Sequence, residues 1–303
     1  MHMVLSGNDN TLLNTKMIVR GSFPYGYGSL FGIGSSNTFG LNKRGGMQVI
    51  GQNSIIDGIE IQLEAFGHAL FIQSPADNTT IRNSLVEGVV RNTNDMLAEG
   101  VGSLPYQADY IMETGDPIPE DEMESLAEDG FRVYSGGGSV ILEDSIVRRM
   151  RGGVRLYLAS SATVTNTLAV DNGEVNINLP SNSSITNSTA NFTNGPMMDF
   201  RLSRSRNTVE VTILPSPNAV GAHNIADILG NDHDIVFHRA DGPEDTQETR
   251  VIVVEGSNST IRNETEYAIV LVEGTSGNTV ISAGNVTDNG DNDVSSITLE
   301  IVE

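Results

Sequence analysis

Arginine distribution is the feature of this sequence that points most directly to chemistry. Eight of the 15 arginines fall between Arg132 and Arg206, in a chain whose net charge is −22. Their phase matters more than their number. In Phe131-Arg132-Val133-Tyr134 and Val154-Arg155-Leu156-Tyr157, apolar residues alternate with polar ones, as in a strand with one face inside and one outside. Arg132 and Arg155 would then project outward one above the other, with Tyr134, Tyr157, Asn178 and Arg201 as the adjacent outward row. Stacked like charges repel, so this arrangement costs stability unless carboxylates or a ligand offset it. An arginine and tyrosine strip on so acidic a chain suits an extended anionic ligand. Arg151 and Lys43 would extend its grip. The same arginines can instead pair with acids such as Glu128 and Asp129 in a structural network.

Carboxylates and a histidine surround the strip in sequence. Glu128 and Asp129 lie where an irregular stretch rejoins the arginine-bearing strand, and Asp95 and Glu99 lie where it departs. Four acids meeting there could bind Ca²⁺ through oxygen ligands or work as a general acid and base. His68, in Gly67-His68-Ala69-Leu70-Phe71-Ile72-Gln73, is a proton shuttle if it faces outward and a hydrogen-bonded core histidine if it faces inward. The alternation around it leaves both open.

The elements that would position these residues are repeats. Short β-branched segments end again and again in Asn or Asp: Asn14, Asp57, Asn83, Asp144, Asn166, Asn187 and Asn263. From Asp144 to Asn166 to Asn187 the spacing is 22 and then 21 residues. Asn and Asp tolerate a left-handed backbone and hydrogen-bond locally, so they suit a turn repeated in every coil, where stacked amides can form a ladder. Three short strands and three turns per coil of about 22 residues make a parallel solenoid with strands ~4.8 Å apart. An antiparallel sandwich is the alternative, but it gives no reason for a constant period.

The period breaks between Val90 and Gly130, a stretch with eleven acidic residues in which Pro119 to Ala127 could form a short helix with acids in its first turn. On a solenoid such an insertion, 91–130, projects from one turn and walls a groove. A second irregular stretch, Asn207 to His238, interrupts the later coils. The chain as a whole, 1–303, reads as one domain.

Composition limits the functional classes. There is no cysteine, hence no disulfide scaffold and no cysteine-ligated zinc. The strong negative charge disfavours nucleic acid as a partner. No apolar run reaches the ~18 residues that a membrane span requires. The first residues have no signal-peptide pattern and read like the middle of a strand, so an export signal and an N-terminal cap are expected to be missing from this chain.

In coil period, Asx turns and alternating strands the chain resembles the pectate-lyase-like right-handed parallel β-helix proteins over nearly its whole length. Asn92-Thr93-Asn94-Asp95 and Gly67-His68-Ala69 are similar to two polygalacturonase motifs, though in reversed chain order and without the paired Asp between them. The resemblance implies an extracellular or periplasmic polysaccharide lyase or glycoside hydrolase, or a non-catalytic surface protein, with substrate lying along one sheet. The first expectation is a lyase cleaving a uronate-containing polysaccharide by β-elimination. Arginines or Ca²⁺ would neutralise the uronate carboxylate. His68, Tyr157 or an arginine would be the base, and Tyr134 or Tyr157 the acid. A glycoside hydrolase using two carboxylates among Asp95, Glu99, Glu128 and Asp129 is the alternative, and a glycan-binding or structural protein a third.

Overall fold

A computed structural model of the chain describes residues 3–20, 45–65, 67–92, 123–125, 127–134, 136–172, 175–190, 200–202, 204–214, 224–240 and 251–298. Every regular element among them is a strand. The strands form an 11-stranded sheet, a 16-stranded sheet and one two-stranded pair. Both large sheets are parallel throughout, which excludes the antiparallel sandwich. Between two visits to the smaller sheet the chain adds two strands to the larger one before Ile177–Asn178 and one after it. Ser139–Glu143 and Ile146–Arg148, for example, lie between Asp129–Val133 and Gly152–Arg155.

Alternating sequence becomes packing through register. In the larger sheet Ile56, Ile81, Leu142, Val164, Ile185, Val209, Ile235, Ile261 and Val280 sit on one another in successive strands. All of these side chains are buried. Met47, Leu70, Phe131, Val154 and Ile177 form a matching buried row in the smaller sheet. A fully buried aliphatic or aromatic side chain contributes roughly 1.5–3 kcal/mol, and the period of two sends every second residue into this core.

The repeated Asx residues hold the turns as expected. Asn14, Asn83, Asp144, Asn166 and Asn187 all have φ between 46° and 51°. Their side chains form part of a ladder, with Asn166 Nδ2 donating to Asp144 Oδ1 at 2.6 Å and Asn187 Nδ2 to Asn166 Oδ1 at 3.4 Å. Two members of the series differ. At Asp57 the following Gly58 takes the positive φ. Asn263 is buried within a strand and bonds to Thr265, Tyr267 and Ser282.

Three other expectations are corrected. Met123–Ser125, assigned to a helix by its acidic run, is a strand paired antiparallel with Val90–Asn92. That pairing satisfies backbone groups a single helical turn would leave open, and it brings the two ends of the insertion together. In the stretch from Asn207 to His238 the described residues continue both sheets through Thr208–Ile213, Ala226–Ile228 and Asp234–Arg239, while 215–223 lie outside the described residues. Finally, Val154 pairs with Ile177 and Ile177 with Phe200. Asn178 and Arg201 therefore belong to the row of Arg132 and Arg155, not to the tyrosine row. Val175 and Ile177 are both buried, so an apolar pattern alone could not choose between registers two residues apart.

Two outcomes test this fold. Asn166→Ala should lower stability by about 1–2 kcal/mol in urea unfolding, and Asn166→Gly by less, because glycine keeps the left-handed turn without a Cβ. Equal losses would assign the cost to the side-chain ladder instead. His233 is 3% exposed, and its Nδ1 accepts the Asn207 amide proton at 3.2 Å. Burial pushes its pKa down to about 4, against the opposing charge of Asp232. The unfolded chain takes up this proton near pH 6.5 and the folded chain only near pH 4, so the contribution is complete above the unfolded value and lost as pH falls through that window. The effect is at most about 3 kcal/mol. The urea midpoint should fall between pH 7 and 4.5, and His233→Asn should flatten that fall.

Candidate active site

Asp129–Val133 lies in the smaller sheet between Leu70–Ile72 and Gly152–Arg155. Arg132 is directly in register with Phe71 on one side and with Arg155 on the other. The ladder also holds the approach to each strand. The Glu128 amide donates to the Gly67 carbonyl at 3.1 Å and the Ala69 amide to the Asp129 carbonyl at 2.8 Å. His68 is fixed between these bonds, next to the acidic pair.

The side chains make a continuous network. His68 Nδ1 is 3.1 Å from Asp129 Oδ2, and His68 Nε2 is 2.5 Å from the Tyr134 hydroxyl and 3.4 Å from Glu128 Oε2. Arg155 Nη1 donates to Asp129 Oδ1 at 3.2 Å, and Arg132 Nε is 3.6 Å from Asp129 Oδ2. Arg132 Nη2 donates to the Tyr157 hydroxyl at 2.9 Å. The Arg132 guanidinium also lies 5.2 Å from the Tyr134 ring centre and 4.8 Å from that of Tyr157, close enough for cation–π attraction. Phe71 packs edge-on against His68 and Tyr134.

Burial makes the charges in this network interact strongly. His68 is 6% exposed and Asp129 is 4% exposed. Burial alone would raise the pKa of Asp129, but Arg155, the His68 hydrogen bond and the charges of His68 and Arg132 outweigh it and hold the carboxyl well below the usual range. Tyr134 moves the other way. Burial, reinforced by the negative charge of Glu128, pushes its phenol up to about 12, so it keeps its proton at neutral pH.

The Asp129 backbone N–H also faces His68 Nδ1, at 3.4 Å. The carboxylate is nearer and charged, so His68 Nδ1–H donates to Asp129, and in the singly protonated ring this leaves Nε2 as the acceptor. Nε2 is then free to accept the Tyr134 proton. The result is a relay running Asp129, His68, Tyr134. Arg132 stands beside it with Nε and Nη1 buried and without a hydrogen-bond partner among the described residues.

Of the residues singled out in the sequence, His68, Glu128, Asp129, Arg132, Tyr134, Arg155 and Tyr157 come together here. Arg151 is brought close by its backbone, whose amide donates to the Ala127 carbonyl. Asn178 follows Arg155 in the same row but is 5% exposed. Arg201 follows Asn178 by backbone register. Lys43, Asp95 and Glu99 lie outside the described residues. Among the described residues no three His, Cys, Asp or Glu side chains are grouped to hold a metal ion. Glu128 and Asp129, half of the expected acidic cluster, face a histidine and arginines, a poor surrounding for Ca²⁺.

The cluster of eight arginines divides. Arg148 and Arg149 both reach Glu87 on the larger sheet, and Arg206 reaches Asn182. Two site residues escaped the sequence reading. Phe71 had a usable signal, an aromatic at the outward position between buried Leu70 and Ile72. Gly152, in register with Asp129, had none beyond its place in Gly152-Gly153.

A Cβ at Gly152 would lie 2.3 Å from Asp129 Oδ1 and 2.5 Å from Arg155 Cδ. Gly152→Ala must therefore displace the Arg155–Asp129 pair, at a cost of about 1–3 kcal/mol in thermal or urea unfolding. An unchanged stability would mean that the two side chains are not held as described. No family model matches the chain. No curated protein is similar to it.

Proposed function

We propose that the protein is a right-handed parallel β-helix that cleaves a uronate-containing polysaccharide by β-elimination, with His68 and Tyr134 transferring protons and Arg132 binding the uronate carboxylate. The solenoid is supported by the parallel in-register sheets and by the repeated return of the chain to the smaller sheet, with one or two strands of the larger sheet between visits. The observation that carries the chemistry is the 2.5 Å contact of His68 Nε2 with the Tyr134 hydroxyl beside an arginine whose Nε and Nη1 have no hydrogen-bond partner among the described residues.

Elimination makes three demands. Charge on the uronate carboxylate must be neutralised so that the C5 proton becomes acidic, and the Arg132 guanidinium suits this, with Arg155 adding positive potential. The C5 proton must be removed. Tyr134 holds its own proton too firmly to act alone, but it can take the C5 proton as its hydroxyl proton passes to His68 Nε2. As the C4=C5 double bond forms and the C4–O bond breaks, the leaving oxygen takes a proton from a tyrosine. Asp129 would steady the imidazolium that appears midway.

The hydrolase reading has less support. Asp129, held ionised by its arginines, could serve only as its base or nucleophile, so the acid would have to be Glu128, whose carboxylate faces His68, or Asp95 or Glu99, which lie outside the described residues. A non-catalytic reading does have an observation in its favour, because Arg132 and Arg155 both already face Asp129.

The test is a set of alginate, polygalacturonate and glycosaminoglycans, with and without Ca²⁺, read by the ultraviolet absorbance of unsaturated uronides and by reducing ends. Rising absorbance is expected on an acidic glycan. His68→Ala and Tyr134→Phe should lower kcat by about 10²–10⁴-fold, and Arg132→Ala by about 10²–10³-fold. Reducing ends without absorbance would overturn elimination in favour of hydrolysis. Binding without turnover would leave a glycan-binding protein.

A further inference from the structure

The groups able to move protons share one side of one sheet, and this constrains the stereochemistry of the substrate. Tyr134 and Tyr157 directly follow Val133 and Leu156, which are buried, so both tyrosines project from the outer face. Arg132 lies against both rings, and His68 sits behind the Tyr134 hydroxyl. A sugar ring whose carboxylate is drawn to Arg132 from that face turns one of its own faces to the tyrosines.

Resting on the lyase reading, we infer that the substrate is a uronide whose C5 hydrogen and C4 leaving oxygen lie on the same face of the ring, so that elimination is syn. Among the common uronates this describes D-glucuronate and D-mannuronate linked through O4. In D-galacturonate, L-guluronate and L-iduronate the two groups lie on opposite faces, and elimination needs an acid and a base on opposite sides of the sugar.

The proton inventory closes with one residue. Tyr134 Oη takes the C5 proton while its own proton moves to His68 Nε2. The C5–H electrons form the C4=C5 double bond, and the C4–O electrons leave with the oxygen. That oxygen takes the proton now on Tyr134, and the phenolate recovers a proton from the imidazolium. No oxidant, reductant or second acid is required. If Tyr157 supplied the final proton instead, it would do so from the same side, so the stereochemical restriction does not depend on which tyrosine is the acid.

The experiment compares purified polymannuronate and polyglucuronate with polygalacturonate and polyguluronate, using the full chain and following unsaturated product. Cleavage confined to the first pair, at least a hundredfold faster than any on the second, is the expected result. Tyr134→Phe should lower it by about 10²–10⁴-fold while keeping a cooperative unfolding transition, and Tyr157→Phe should retain more activity than Tyr134→Phe. Cleavage of polygalacturonate or polyguluronate at comparable rates would overturn the syn assignment while leaving the lyase reading intact. No unsaturated product from any of the four would remove the lyase reading and this inference with it.

Discussion

Parallel strands in register bring equivalent positions of successive strands to ~4.8 Å from one another, so each side-chain type in a row interacts chiefly with its own kind. For aliphatic residues this is favourable without qualification. Ile56, Ile81, Leu142 and Val164 stack into a continuous dry row because each is the same kind of neighbour to the next. The same rule makes the Asx turns cooperative, since each amide can donate to the side chain of the preceding turn. For charged residues the rule works in reverse. Arg132 above Arg155 is a repulsive pair at close range, and the remainder of the site answers that repulsion.

Asp129 is the answer. It sits at the start of the Arg132 strand, opposite a glycine, and its two oxygens face both guanidinium groups and the imidazole. A carboxylate so deeply buried would ordinarily take up a proton. Here the surrounding cations keep it ionised, and it in turn holds the Nδ1 side of His68, leaving Nε2 to face Tyr134. Electrostatic balance and proton relay are thus one arrangement. The absence of a side chain at Gly152 is its steric condition.

The network also separates two histidines that look alike in composition. His68 and His233 are both buried and each accepts or faces a backbone N–H through Nδ1. Against His233 the charge of Asp232 compensates only in part for lost hydration, and burial dominates its behaviour. His68 is flanked by Asp129 and Glu128 and meets a tyrosine, so its proton has somewhere to go.

Alternating apolar residues, the recurring Asx positions and the outward phase of Arg132 and Arg155 were all legible in the sequence, because strand periodicity and left-handed turn preferences act over a few residues. The nearness of the two ends of the insertion also followed from the repeat alone. Register did not. Val175 and Ile177 are both buried, so only pairing with Val154 and Phe200 decided that Asn178 extends the arginine row. The direction of His68 was undecidable for a similar reason, since it lies just outside a strand where alternation gives no rule. What the tertiary structure alone decided is contact across strands: which arginine meets which carboxylate, and that a histidine 61 residues before Asp129 becomes its neighbour. Such contacts depend on the pairing of strands far apart in the sequence, and local sequence carries no energy term that refers to it.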